Sequence, residues 1–108
     1  MKDAVEMVCK EYGTRGQFQS VVAYPSFHFS NDADVVVRAK KAAKQLGLSG
    51  DTFSSGGGSD ANNFNGLGIP TVNLAVGYED IHTTAERIKV DDIVKISEYA
   101  LEIIKQSV

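Results

Sequence analysis

The chain of 108 residues has no tryptophan, one cysteine and no apolar run approaching the length of a bilayer span. Each shortage excludes something. Cys9 alone cannot form an internal disulfide, so a disulfide-stapled secreted scaffold is ruled out and a reducing, cytoplasmic setting is expected. No segment has the length of a membrane helix or the form of a signal peptide, so no membrane partner is expected. Basic residues are also short: 11 Lys and Arg against 14 Asp and Glu, a net charge of −3, scattered rather than clustered. That leaves no electrostatic footprint for a nucleic-acid backbone. What is present, 43% apolar and 23% charged residues, is ordinary for a folding chain of one modest core and argues against disorder.

Periodicity orders the elements. Ala4, Val5, Val8, Cys9 and Tyr12 recur at spacings of three and four and predict a helix over 2–12 that Gly13 ends. Residues 17–24 are rich in β-branched and aromatic side chains and predict a half-buried strand, closed by Pro25. An extended connector follows, with Phe27 and Phe29 on one face. Ser30, Asn31 and Asp32 offer N-caps for a helix to about Leu46, with Val35, Ala39, Ala42, Ala43 and Leu46 on its apolar side and Gly47 as its stop. A short strand over 52–55 leads into the run Ser55-Gly56-Gly57-Gly58-Ser59-Asp60, and a short helix over 60–65, capped by Ser59 or Asp60, ends at Gly66. Residues 70–76 predict a buried strand with Val72, Leu74 and Val76 on one side. A polar loop over 77–88 precedes a final helix over 90–106, whose stripe is Ile93, Ile96, Ala100, Leu101 and Ile104. Alternation of helices and strands from residue 30 onward predicts an α/β layer with a parallel sheet. The first 28 residues do not share that alternation, and neither portion has enough strands to close its own sheet edges.

Chemistry concentrates in two loops. Three consecutive glycines remove every Cβ from one turn, which permits positive φ and close approach of an anion to backbone amides at a helix start. Gly56-x-Gly58-x-x-Ala61, with Glu79 or Asp80 about 20 residues further on, formally matches a dinucleotide fingerprint. The preceding segment is not the apolar strand that motif needs, and no lysine follows the glycines as a P-loop requires. His82 stands in the second loop, directly after the 70–76 run, with Glu79, Asp80 and Glu86 near it in sequence. A histidine there suits a metal ligand, a general acid or base, or an ordinary surface residue. If both loops follow parallel strands, they share one sheet edge, where open α/β sheets bind ligands.

Taken together, Ser55-Gly56-Gly57-Gly58-Ser59-Asp60-Ala61-Asn62-Asn63-Phe64-Asn65-Gly66-Leu67-Gly68-Ile69-Pro70-Thr71-Val72-Asn73-Leu74, then Gly77-Tyr78 and Ile81-His82-Thr83-Thr84-x-Glu86-x-Ile88, resemble the C-terminal end of the M20 metallopeptidases. The peptidase T-like aminotripeptidase branch is the nearest in pattern, and Tyr24-Pro25-Ser26-Phe27 and the helix from Asp34 resemble it too. The resemblance implies the C-terminal part of a three-layer zinc-peptidase catalytic domain over 29–108. It implies that 1–28 is the last helix and strand of a ferredoxin-like lid, a domain of the dimerisation type. It implies two zinc ions in the whole enzyme, one of them held by His82, and a substrate pocket to which Gly57, Gly58, Ser59, Asp60 and Asn62 contribute. Asp60 and Asn62 then either brace the loop and cap its helix or touch substrate. Glu86 either supports His82 or serves as a cap or surface residue. The family's other ligands and its general-base glutamate lie in an N-terminal half that these residues do not include.

The expectation is therefore a part of an enzyme that removes residues from the N-terminus of short peptides, with no catalytic residue of its own and no hydrolysis by the isolated chain. Its expected partners are a short peptide, the N-terminal half and a second copy in a homo-oligomer. His28 reads as a structural or surface residue and Cys9 as inert. Two alternatives stand beside this one: a nucleotide- or phosphate-binding module built on Gly56, Gly58 and Ala61, and a non-enzymatic interaction domain that pairs through the edge of 17–24.

Overall fold

The computed structural model describes residues 1–106. Four helices follow in order: α1 (Lys2–Glu11), α2 (Asp34–Gln45), α3 (Asp60–Gly66) and α4 (Val90–Lys105). The first three end alike. Gly13, Gly47 and Gly68 take φ of 61°, 67° and 80°. The next residue's N–H returns five positions to a carbonyl, Thr14 to Cys9, Leu48 to Ala43 and Ile69 to Phe64, at 2.9 Å each. This is the Schellman arrangement, which satisfies helix-end carbonyls at the cost of a left-handed residue that glycine takes most readily. The stop of α3 is thus Gly68, with Gly66 still inside the helix and Leu67 as its C-cap.

The start of α2 differs from expectation. Ala33 is its N-cap, with no side-chain bond. The three polar residues before it are engaged elsewhere. A hydrogen bond from the Ser30 side chain to Asp32, and the backbone of Asp32 itself, lower that carboxyl's pKa. Asn31 Oδ1 accepts from Lys40 Nζ at 2.7 Å and from Thr52 Oγ1 at 3.0 Å, tying the segment before the glycine run to α2.

A helical layer forms where α2 meets α4. Val36, Ala42 and Ala43 of α2 are buried, so the contact is built from small side chains. From α4 the inward residues are Ile96, Tyr99, Ile103 and Gln106. Tyr99 Oη donates to the Ala39 carbonyl at 2.9 Å, and Gln106 Nε2 donates to Gln45 Oε1 at 2.9 Å. Most of the expected α4 stripe faces the other way: Ile93, Leu101 and Ile104 are exposed, and only Ile96 of the large side chains turns inward. The helix carries apolar residues on two opposite faces, and α2 takes the face with Tyr99.

The run 70–76 lies under this layer. Val72, Leu74 and Val76 are half-buried while Asn73 and Ala75 are exposed, the alternation expected of a strand. It has no ladder partner. Among the described residues the single bridge is the isolated antiparallel pair Glu79 and Arg87, so none of the three strands expected at 17–24, 52–55 and 70–76 is paired. The 17–24 segment is not half-buried either: Val21 is 92% and Val22 84% exposed. A strand is stabilised by hydrogen bonds to a neighbour, and the chain supplies side-chain pattern without that neighbour. The chain is correspondingly open. Its radius of gyration is 19.9 Å, against about 13 Å for a compact domain of similar length.

Two outcomes are expected from this architecture. Burial raises the Tyr99 phenol above its ordinary value of 10.0. The folded state therefore favours the neutral ring, and that contribution is complete below the unfolded value and lost as pH rises through the higher folded one. Tyr99→Phe should cost about 1 kcal/mol at neutral pH and flatten the alkaline loss, as read by urea denaturation across that range. The exposed 17–24 segment should also drive concentration-dependent self-association in sedimentation, and Val21→Lys with Val22→Lys should leave a monomer.

Candidate substrate and metal site

The glycine run is shaped by its neighbours more than by its own freedom. None of Gly56, Gly57 and Gly58 has a positive φ, contrary to the conformational reading of the triplet. The absent Cβ matters at Gly58 for another reason: a β-carbon there would collide with the hydroxyl and ring of Tyr24. The open face of that glycine is thus filled by an aromatic side chain from the connector, whereas Gly56 has nothing within 4 Å of its Cβ position. The Gly57 N–H donates to Ser55 Oγ at 3.2 Å.

Asn62 holds the run to the connector. It is 8% exposed, in the first turn of α3. Its Oδ1 accepts from the Ser59 N–H and its Nδ2 donates to the Pro25 carbonyl, both at 2.9 Å. The first bond satisfies an amide at the helix start; the second fixes where the 24–25 backbone passes. Asn62 thus braces the loop through both ends of its amide, while Asp60 sits exposed at the helix start. Ser59 Oγ exchanges hydrogen bonds with the Asn73 side chain at 2.9–3.1 Å. Asn65 completes the frame: its Nδ2 donates to the carbonyls of Ala61 at 2.8 Å and Thr71 at 2.7 Å, and its Oδ1 accepts from the Thr71 N–H at 3.1 Å. That amide does for residue 71 what a strand partner would do.

The second loop presents His82. Glu79 and Arg87 close its base with two backbone hydrogen bonds of 2.8 and 3.2 Å. The Arg87 guanidinium pairs with Glu79 Oε2 at 2.6 Å and with the Asp80 carboxylate. Within the loop, Thr83 Oγ1 donates to the Asp80 carbonyl at 2.7 Å, and the His82 N–H donates to Glu86 Oε2 at 2.7 Å. Glu86 thus supports His82 through its backbone. The His82 side chain is exposed. Glu79 and Asp80 each place a carboxylate oxygen on Arg87 and Glu86 places one on the His82 amide, while the exposed imidazole is a further donor that this loop can offer a metal.

The two loops are joined through the 70–76 run, since Asn73 carries Ser59 at one end and the run leads into His82's loop at the other. Among the described residues no three His, Cys, Asp or Glu side chains gather as a metal cluster. Two open, largely apolar gaps, of about 460 Å³ beside Val72 and Leu74 and about 160 Å³ beside Val76 and Tyr99, lie against α2 and α4 and include neither His82 nor the glycines of 56–58. Tyr24, Asn73 and Arg87 were not singled out as site residues; Tyr24 and Asn73 act on segments distant in sequence, and Arg87 on carboxylates seven and eight positions before it.

Helices pack over strand-like runs, with the glycine run before α3 and the histidine loop after the 70–76 run, and the likeness to solved structures gives this arrangement an α/β peptidase fold. The crystal structure of aminopeptidase PepT from Bacillus cereus superposes on 95% of the chain with a TM-score of 0.84 and 48% identity, over 28% of its own length. The model for peptidase family M20/M25/M40 matches residues 12–106, and the chain belongs to that family. An uncharacterized Bacillus subtilis protein, YqjE, is 45% identical over 99% of the chain and 29% of its own length. Peptidase T of Bacillus subtilis is 31% identical over 98% of the chain and 27% of its own length. The chain thus spans less than a third of the relatives it matches.

The Tyr24 contact is testable. Gly58→Ala should displace the Tyr24 ring and cost about 1 kcal/mol, the low end for overpacking because that ring is half exposed. In the Tyr24→Ala background the same change should cost nearly nothing, a non-additivity that urea denaturation of the four proteins reads directly.

Proposed function

We propose that this chain forms the C-terminal part of an M20 peptidase that cleaves short peptides, tripeptides among them, from the N-terminus. Residues 1–28 are then the last helix and extended run of a lid, and 29–108 the return into a three-layer catalytic domain. The observation that carries this reading is His82, exposed on a loop clamped at its base in a chain of the M20 family. One imidazole with every nearby carboxylate already engaged fits a ligand set completed from other residues.

In this reading His82 holds one zinc ion through a ring nitrogen, and zinc, when bound, polarises a peptide carbonyl and lowers the pKa of water. The chain's own residues do the rest of their work by placement. Glu86 holds the His82 backbone. Asn62, Ser59 and Asn73 hold the glycine run against the run that leads to His82, so that one wall of the pocket and one ligand share a frame. Gly57, Gly58, Ser59 and Asp60 form that wall. Glutamate as general base, and the remaining ligands, come from outside these 108 residues, so the isolated chain has no means of activating water. The dinucleotide alternative gains nothing from the structure: α3 lasts seven residues, and Tyr24 covers Gly58. A second copy remains the expected partner of the lid segment, and a cytoplasmic location the expected setting.

Zinc and a tripeptide added to the isolated chain should give no hydrolysis above buffer. In the longer polypeptide that this reading requires, His82→Ala should remove one zinc by elemental analysis. It should also lower kcat/KM by more than the 10–100-fold typical of losing a contact that merely supports a ligand. Full zinc content and activity in that variant would sink the assignment of His82.

A further inference from the structure

Loop 79–87 holds the only two non-glycine residues with positive φ among the described residues, Asp80 at 54° and His82 at 63°. A left-handed backbone is unfavourable for a residue with a β-carbon, so each needs contacts that over-determine it. For His82 the direct contact is the Glu86 carboxylate on its N–H. For Asp80 they are Thr83, whose N–H and Oγ1 both donate to the Asp80 carbonyl, and Arg87, whose guanidinium takes the Asp80 carboxylate on one nitrogen and Glu79 Oε2 on the other. Without a cation between them, those two consecutive carboxylates repel each other at the neck of the loop. Arg87 also carries the backbone bridge to Glu79, so one residue closes the neck by main chain and side chain together.

We propose that Arg87 is a positioning residue for His82. Gripping Glu79 and Asp80 together, it holds the loop neck shut, keeps Asp80 and His82 left-handed, and keeps the Glu79 and Asp80 carboxylates off any metal at the imidazole. A planar guanidinium suits this because it offers donors to two carboxylates at once, which an ammonium on a single nitrogen does less well. The inference rests on the reading of His82 as a metal ligand.

The test uses the isotope-labelled chain and cobalt(II), added alone as a paramagnetic probe. In the unaltered chain the His82 amide should be protected from exchange, and cobalt should broaden the His82 ring and a fixed set of amides about it. Arg87→Ala should speed His82 amide exchange roughly fivefold or more and spread the broadening to Glu79 and Asp80, with the α2 and α4 amides unchanged. Arg87→Lys should recover only part of the protection. The double change Glu79→Gln with Asp80→Asn, which keeps the guanidinium but removes the negative charges it grips and so weakens its hydrogen bonds, should speed His82 exchange as well and serves where Arg87→Ala unfolds the chain. Unaltered His82 exchange and an unaltered broadening pattern in these variants would overturn the role of Arg87. Cobalt that broadens the His28 ring and leaves His82 untouched in the unaltered chain would instead overturn the metal reading itself.

Discussion

A backbone run that is apolar on one side needs partners twice, for its side chains and for its amides, and this chain supplies mainly the first. Val72, Leu74 and Val76 turn toward α2 and α4, yet no neighbouring strand takes the hydrogen-bonding groups of 70–76. The same holds for 17–24, where Val21 and Val22 stay in water as well. Much of the rest follows from that constraint: among the described residues the buried apolar side chains are the small ones of Val36, Ala42, Ala43 and Ala61, and α4 keeps a second apolar face exposed. In a family whose matched relatives are more than three times as long, such surfaces are natural places for further chain to pack.

Where ladders are missing, asparagine side chains hold segments together. Asn31 ties residue 52 to α2, Asn62 ties residue 59 to residue 25, Asn65 ties α3 to residue 71, and Asn73 ties the 70–76 run to Ser59. An amide side chain offers a donor and an acceptor, as a peptide group does, so it serves as a local substitute for a strand neighbour. Each such bond contributes only about 1 kcal/mol net. Their value lies in placement, since together they set the glycine run, the connector and the run before His82 in one frame.

The His82 loop is held by a different kind of force. Its clamp is charge on an exposed surface, with Glu79, Asp80 and Arg87 all well solvated. Such pairs contribute a fraction of a kcal/mol each and weaken with salt. The backbone bridge and the Glu86 contact therefore share the load. A loop of this construction keeps its shape while leaving its tip open to solvent, where an imidazole can meet a ligand.

The helices were legible because their determinants are local. Periodicity located α1, α2 and α4, the Ser59 cap located α3, and Gly13 and Gly47 marked the ends of α1 and α2. The two loop patterns, read jointly, also carried the family. Less was legible wherever the partner lies far away in sequence. Ala33 rather than a polar residue caps α2 because Asn31 bonds Thr52 and Lys40. Gly58 is short of a β-carbon because Tyr24 fills the space. The inward face of α4 was decided by what α2 offers Tyr99, a carbonyl at hydrogen-bonding distance, and not by which stripe is most apolar. Local hydrogen bonding and spacing are written in consecutive residues, so the sequence by itself determined the helices and the candidate loops. Which side chains meet across those elements depends on contacts between residues tens of positions apart, and only the tertiary structure decided them.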